Sequence, residues 1–225
     1  MFRSALLLTL LLPGLSREAQ GVQAASDSVV YRLAPSSRLV VKTGKAGLLG
    51  FAGHTHVIRA RSVSGELVHH PGTSGSYLRL ELPTDSLEVL TPPDTAEIRE
   101  VTEAMRTEVL HVDRYPEMAF RADSLAVRGG KMEFQIALTM KGVTRKVPVI
   151  AEVTISPDSV RARGVFTAKQ TDFGIKPYRG GPGGTVKVAD KVTLCFDLLG
   201  VRDLPTGAAE EPVSAAIAVP GCEDR

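Results

Sequence analysis

The side chains with the greatest capacity for chemistry in this chain are its five histidines. His54 and His56 are two residues apart, so in a β-strand both imidazoles would point to one face and could chelate one metal ion. His69 or His70 could approach them if the segment from Gly65 pairs with the preceding strand. Because no cysteine or carboxylate completes a known ligand spacing, a tight polar turn explains this segment equally well, and we predict no metal site.

Sequence motifs for nucleophilic catalysis do not occur. There is no Gly-x-Ser-x-Gly elbow, and neither Cys195 nor Cys222 lies beside a histidine in sequence. Asp172 has no second carboxylate near it, and capping of the following turn explains it. We therefore predict a protein that is not an enzyme and that has no cofactor. Distant residues can still converge in a fold, so a small metal-dependent hydrolase using His54, His56 and Asp172 is the alternative.

The two cysteines leave two alternatives open. In an oxidising compartment Cys195 and Cys222 could pair and tie down the C-terminal segment. Equally, Cys195 could be a small buried apolar residue and Cys222 a free thiol. The sequence does not decide between them.

The charge pattern argues against nucleic acid as a partner. Lys and Arg total 27 against 25 for Asp and Glu, and the two signs are interspersed. The glycine-rich segment 179–184 could present backbone N–H groups to an anionic head group, with Lys176, Arg179 and Lys187 around it. A plain loop is the preferred interpretation, because neither a helix start nor a Walker-type lysine follows.

The first residues are typical of an export signal. Arg3 precedes an apolar run at residues 5–12, and small-residue cleavage sites follow, so we assign residues 1–24 to a cleavable signal peptide. The run is too short for a membrane-spanning helix, which needs about 20 apolar residues. We expect a periplasmic or secreted protein without a stable membrane anchor. Residues 25–200 form the predicted domain, and residues 201–225, rich in Pro, Gly and Ala, form a flexible tail.

Residues 131–155 contain two segments of alternating apolar residues joined by Lys141 and Gly142. If they fold as a two-residue hairpin, the apolar faces coincide, with Ile136 opposite Val147. A slip by one residue would turn every apolar side chain to the wrong face, so the pattern predicts the register. The predicted pairs are Met140–Val143, Ile136–Val147, Phe134–Val149 and Met132–Ala151 on the apolar face, and Lys131–Glu152 and Thr139–Thr144 on the other.

Alternation continues through most of the chain and predicts a mainly antiparallel β protein. In the next hairpin Ala151 would face Gly164, and Val153 would face Ala162. Such small inner residues suggest either a closely packed helix or space for a bound molecule. The predicted strands cover residues 29–34, 38–43, 56–62, 65–69, 77–82, 118–127, 131–140, 143–155, 160–168 and 192–199.

One segment has a different period. Between residues 95 and 110, Ile98, Val101, Met105 and Val109 recur every three or four residues, which predicts an amphipathic helix. Its apolar stripe would face the sheet or a barrel end. Two roles stay open, a lid over a binding site or a plug that fills ordinary core.

Several motifs resemble the YceI-like, polyisoprenoid-binding family. Residues 138–147 resemble its leucine-threonine-x-x-glycine-valine-threonine hairpin, and residues 115–120 its tyrosine-proline strand start. Residues 171–175 resemble its aspartate-phenylalanine-glycine turn, and residues 53–58 with 64–67 its early histidine-bearing strand and serine-glycine step. The order and spacing agree from about residue 30 to residue 199. The chain lacks tryptophan, and Tyr31 stands where the family often has one.

The resemblance implies an extended, lipocalin-like antiparallel β-barrel of about eight strands that binds an isoprenoid or other long apolar lipid without catalysis. We expect a monomer or homodimer with a lipid ligand as its partner. The alternative to a binding protein is a structural envelope module with a packed interior. Lys176 and Arg179 are the candidate head-group residues. The candidate ligand contacts are Phe120, Phe134, Ile136, Leu138, Phe166, Phe173, Leu194, Phe196 and Met105.

Overall fold

The computed structural model describes residues 28–46, 55–90, 95–180 and 186–202. Twelve strands in these residues form one antiparallel sheet. The strands are β1 (Val29–Leu33), β2 (Arg38–Ala46), β3 (Val57–Ala60), β4 (Ser64–His69), β5 (Ser76–Pro83), β6 (Leu87–Val89), β7 (Glu117–Leu125), β8 (Gly130–Met140), β9 (Val143–Ile155), β10 (Ser159–Lys169), β11 (Arg179–Gly180) and β12 (Val186–Arg202).

The sheet closes on itself as the predicted eight-stranded barrel. The order β1-β4-β5-β7-β8-β9-β10-β12 is completed by pairing of β12 with β1. Strands β2, β3 and β6 extend this ring, since β2 pairs with β12 and β3, and β3 pairs with β6. Three positions of the barrel wall are therefore each occupied by two consecutive strands that are separated by a corner. These pairs are β1 and β2, β3 and β4, and β5 and β6.

The predicted hairpin register of β8 and β9 is confirmed. All six predicted pairs occur, and the hydroxyls of Thr139 and Thr144 lie 2.8 Å apart. The turn residues Lys141 and Gly142 both have positive φ, 50° and 74°. A two-residue turn of this handedness matches the twist of the flanking strands, which explains why the dipeptide fixes the register.

The next register is confirmed as well. Ala151 pairs with Gly164 and Val153 with Ala162. Buried and exposed residues alternate through β9 from Val147 to Thr154. The strands thus have one face in the barrel interior and one face outside, as period-two alternation requires.

The predicted helix is present but changes geometry in its middle. An α-helix, α1 (Thr95–Ala104), runs into a π-helical segment (Met105–Leu110), which ends at His111 with a left-handed φ of 52°. Met105 and Leu110 are buried in the main core. The helix is tied to β6, because the backbone N–H of Val89 donates to the hydroxyl of Thr102. No described helix is long and apolar enough to cross a membrane.

Some details differ from the prediction. β12 runs from Val186 to Arg202, beyond both predicted ends and two residues into the predicted tail, and a bulge between Val188 and Val192 interrupts its alternation. The short β6 and β11 were not predicted, because three and two residues carry too little pattern. Cys195 is buried and disulfide-bonded, which decides between its two alternatives. The predicted signal peptide, His54, Cys222 and residues 203–225 lie outside the described residues.

Candidate binding cavity

The barrel interior contains an apolar cavity of about 100 Å³. Of the described residues that line it, one, Glu66, is charged, and it also pairs with Arg32 across β1 and β4 at 3.4 Å. Pockets that enclose a whole small ligand measure roughly 300–1,000 Å³, so this cavity fits part of a long chain rather than all of it. Its lining consists of Tyr31, Leu33, Leu39, Val63, Glu66, Leu67, Leu78, Leu80, Phe120, Phe134, Ile136, Val149, Val160, Ala162, Phe166, Phe196, Leu198 and Gly200.

Five of the predicted ligand contacts line this cavity. They come from β7, β8, β10 and β12 and face inward because each lies on the apolar side of its strand. These five are Phe120, Phe134, Ile136, Phe166 and Phe196.

The structure places the other four elsewhere. Leu138, Phe173, Leu194 and Met105 are almost fully buried in the packed core and are not part of the cavity lining. Alternation predicts which face of a strand a side chain occupies. It does not predict the height along the barrel axis at which the interior is filled, and these four lie where it is filled.

The small residues of β10 leave less space than expected. A Cβ on Gly164 would lie 2.5 Å from Cζ of Phe196, so the ring of Phe196 occupies the room beside this glycine. The rings of Phe166 and Phe196 are tilted by 53° at a centroid distance of 6.2 Å, a favourable aromatic arrangement. Ala162, in contrast, borders the cavity.

One end of the barrel, here called the closed end, carries the helix, the Lys141–Gly142 turn and a 3-10 turn (Gln170–Phe173). Lys141 Nζ donates to the carbonyl of Val109 at 3.0 Å. A Cβ on Gly142 would lie 3.1 Å from the ring of Tyr115, so this ring packs on the turn. The helix residues Met105 and Leu110 are buried here, and with these segments they act as a plug.

The opposite end, here called the hairpin end, carries the turns at residues 70–75, 126–129 and 156–158. Tyr31 crosses it and donates from its hydroxyl to the carbonyl of Ser156 at 3.4 Å. Ser76 is fully buried there, accepts from the backbone N–H of His70 and lies 3.2 Å from Nδ1 of His69. Burial, and then the neighbouring His70, lower the pKa of His69.

The candidate head-group residues lie away from the cavity. Lys176 and Arg179 are both exposed, and neither lines the cavity. Burial lowers the pKa of Lys141, and the nearby charges of Lys176 and Arg114 lower it further, which places these cations together at the closed end. The packed residues of that end separate them from the cavity. The glycine-rich residues 181–185 lie outside the described residues.

The alternative metal site receives no support from the described part of the chain. No group of three His, Cys, Asp or Glu side chains in it is placed to hold a metal ion. His56 is half-buried beside Thr43, whose hydroxyl accepts from its backbone N–H at 3.0 Å. Asp172 is exposed in the 3-10 turn.

Sequence reasoning missed a second group of lining residues, from β1, β4 and β5. Tyr31, Leu67 and Leu78 line the cavity and are brought side by side by the pairing of β4 with its two neighbours. The alternation of apolar residues in these three strands was visible in the sequence. Nothing in their order along the chain showed that they would face the β8 and β10 residues across the barrel.

Comparison with known proteins gives one family. The model of the YceI-like domain matches residues 31–199. Among solved structures, Burkholderia cenocepacia BcnA is similar at a TM-score of 0.56 and 18% identity, over 72% of this chain and 95% of BcnA. A Campylobacter jejuni YCEI protein is similar at a TM-score of 0.48 and 13% identity, over 66% of this chain and 85% of its own. No curated protein matches the chain in sequence. The family match covers most of the chain, and this protein belongs to the YceI-like domain family.

Proposed function

We propose that this protein binds an elongated apolar ligand, such as a polyisoprenoid, an isoprenoid quinone or a similar lipid, for transport or storage after export from the cytoplasm. The observation that carries the proposal is the cavity inside a closed barrel, whose described lining is apolar except for Glu66. The isoprenoid nature of the ligand rests on the family resemblance of residues 138–147 and 171–175. The export step rests on the signal pattern of residues 1–24.

The energetics favour a chain-like ligand. Each CH₂ group transferred from water to an apolar site contributes about 0.8 kcal/mol, so a few isoprene carbons supply useful affinity without polar contacts. Among the described lining residues, five contribute aromatic rings: Tyr31, Phe120, Phe134, Phe166 and Phe196. Such a site selects by length and shape more than by head group.

The proposal is tested on full-length protein purified without an affinity tag from its native host. Native mass spectrometry followed by organic extraction should find a co-purifying lipid. The neutral fluorophore N-phenyl-1-naphthylamine should bind, and farnesol should displace it.

Two results would overturn the proposal. If no apolar molecule co-purifies and the fluorophore does not bind, the packed envelope module is the better description. If metal analysis finds stoichiometric zinc together with hydrolytic activity, the enzyme alternative is the better one.

A further inference from the structure

The barrel wall contains a stretch where neighbouring strands do not pair. β1 and β4 pair as far as Arg32 and Glu66. The same part of the wall continues with the pairing of β2 and β3, which begins only past residues 33–39 on one side and residues 60–65 on the other. No register pair joins these two segments, all of whose residues the structure describes. We call the two facing segments, 33–39 and 60–65, the seam.

Each side of the seam is held by its other neighbour. The N–H of Ala34 donates to the carbonyl of Leu199 at 2.7 Å, and the N–H of Leu199 donates to the hydroxyl of Ser37 at 3.0 Å. On the other side, the N–H of Arg61 donates to the carbonyl of Ser86 at 3.0 Å. These three hydrogen bonds all lead away from the seam, so widening the seam breaks none of them.

The cavity reaches the seam. Leu33, Leu39 and Val63 belong to the seam and line the cavity. Glu66 also lines it, although its carboxylate pairs with exposed Arg32 on the outer face of the barrel. The cavity therefore reaches the barrel wall at the strand pair that carries Arg32 and Glu66, directly beside the seam.

Both barrel ends are filled. Met105 and Phe173 are buried in the core at the closed end. At the hairpin end, Val29, Leu125 and Met132 pack in the core and are not among the described residues that line the cavity. A chain that left through either end would have to displace side chains that do not border the cavity. Half-buried Leu33 and Val63 of the seam also pack against the core, but they border the cavity directly.

We propose that the apolar chain of the ligand passes through the seam, with its polar end held outside the barrel beside Arg32 and Glu66. This inference rests on the proposed function. It also accounts for the small volume of the cavity, about 100 Å³, because the part of a long chain that does not fit inside remains in the seam.

Photo-crosslinking locates the end of a bound chain. The probe is a farnesyl chain capped with a benzophenone, bound to the full chain, irradiated and mapped by peptide mass spectrometry. Crosslinks should fall in residues 33–39 and 60–66. Crosslinks at residues 70–75, 126–129 or 156–158 would overturn the seam and leave the proposed function standing. Failure of the probe to bind would overturn the proposed function itself.

A matched pair of variants gives a kinetic test. Ser64→Trp puts a large side chain at an exposed position of the seam, and Ser74→Trp does the same in a turn of the hairpin end. With N-phenyl-1-naphthylamine in stopped flow, Ser64→Trp should slow association and dissociation alike, by about tenfold, because a blocked route changes rates and leaves affinity largely unchanged. Slowing by Ser74→Trp with no effect of Ser64→Trp would overturn the inference.

Discussion

The closed end and the cavity are built from the same barrel strands, yet one is packed and the other is hollow. At the closed end Leu82, Leu138 and Phe173 are at most 1% exposed. Around the cavity, Phe134 and Leu67 are half-buried. The difference comes from segments between the strands, because the helix and the Gln170–Phe173 turn insert side chains at one end alone. Alternation creates an apolar interior, and these insertions decide how much of it remains free.

The two regions also differ in what the family motifs do there. Tyr115 and Gly142 come from two motifs and contact each other at the closed end, and Phe173 of a third motif is buried in the core. None of these three lines the cavity. Other residues of the motifs do line it, namely Phe120 of the segment 115–120 and Leu67 of the segment 64–67. The motifs therefore supply packing at the closed end and wall residues in the cavity.

The largest expected effect comes from a matched pair of phenylalanine truncations. Phe173→Ala should lower the free energy of unfolding by about 3–5 kcal/mol, because it opens a void in packed core. Phe134→Ala should cost roughly half as much or less, because that ring already borders a cavity and is half-buried. Urea denaturation measures both.

Ligand binding should respond in the opposite order. At a temperature where both variants are folded, Phe134→Ala should weaken binding of N-phenyl-1-naphthylamine more than Phe173→Ala does. Equal stability losses from the two truncations would remove the contrast between a packed and a hollow region.

A second pair adds volume instead of removing it. Ala151 is 1% exposed in the packed core and pairs with Gly164. Ala162, two residues before Gly164 on the same strand, borders the cavity. Ala151→Leu should destabilise by about 1–3 kcal/mol through overpacking. Ala162→Leu should leave stability nearly unchanged, since its new carbons enter existing space.

Ala162→Leu should instead reduce affinity for the fluorophore by about tenfold or more, because losing contact with two CH₂ groups of the probe suffices for that factor. Calorimetry for stability and fluorescence titration for binding separate the two effects. A strongly destabilised Ala162→Leu with normal binding would mean that the space beside Ala162 is not where the probe sits.

The strand pattern made much of the fold predictable. The Lys141–Gly142 turn and the period-two alternation determined the β8–β9 register residue by residue, because a slip would expose the whole apolar face. The three corners that break wall strands were not predictable as breaks. Residues such as Pro35 or Ser62 show a strand ending, and nothing local shows that the next strand continues the same wall.

The candidate site was predictable in part, for the same physical reason. Phe134 and Phe166 were assigned to the interior by alternation, and so were Leu138 and Leu194. Whether an inward side chain meets a cavity or another side chain depends on segments distant in sequence. This part of the site requires the tertiary structure.

The third prediction uses two glycines with nearly the same φ angle. Gly142 at the closed end has φ 74°, and Gly72 at the hairpin end has φ 72°. Alanine at Gly72 would meet no atom within 4 Å and should cost only backbone strain, about 1–2 kcal/mol. Gly142→Ala should cost more, because its Cβ would lie 3.1 Å from the Tyr115 ring. In a Tyr115→Ala background the two costs should become equal, and a persistent difference would show that Tyr115 is not its cause.

The smallest effect should be a pH dependence located at the hairpin end. Burial and His70 hold the pKa of His69 below its ordinary value of 6.5, so the unfolded chain takes up a proton more readily than the folded protein. The contribution of neutral His69 to the free energy of unfolding is therefore fully present above pH 6.5. It is lost as the pH falls through the lower pKa of His69 in the folded protein. The melting temperature should drop on acidification more steeply in the natural chain than in His69→Gln, and hydrogen exchange should show residues 69–76 opening first. If His69→Gln follows the same pH curve, the acid sensitivity arises elsewhere and the hairpin end is no more labile than the closed end.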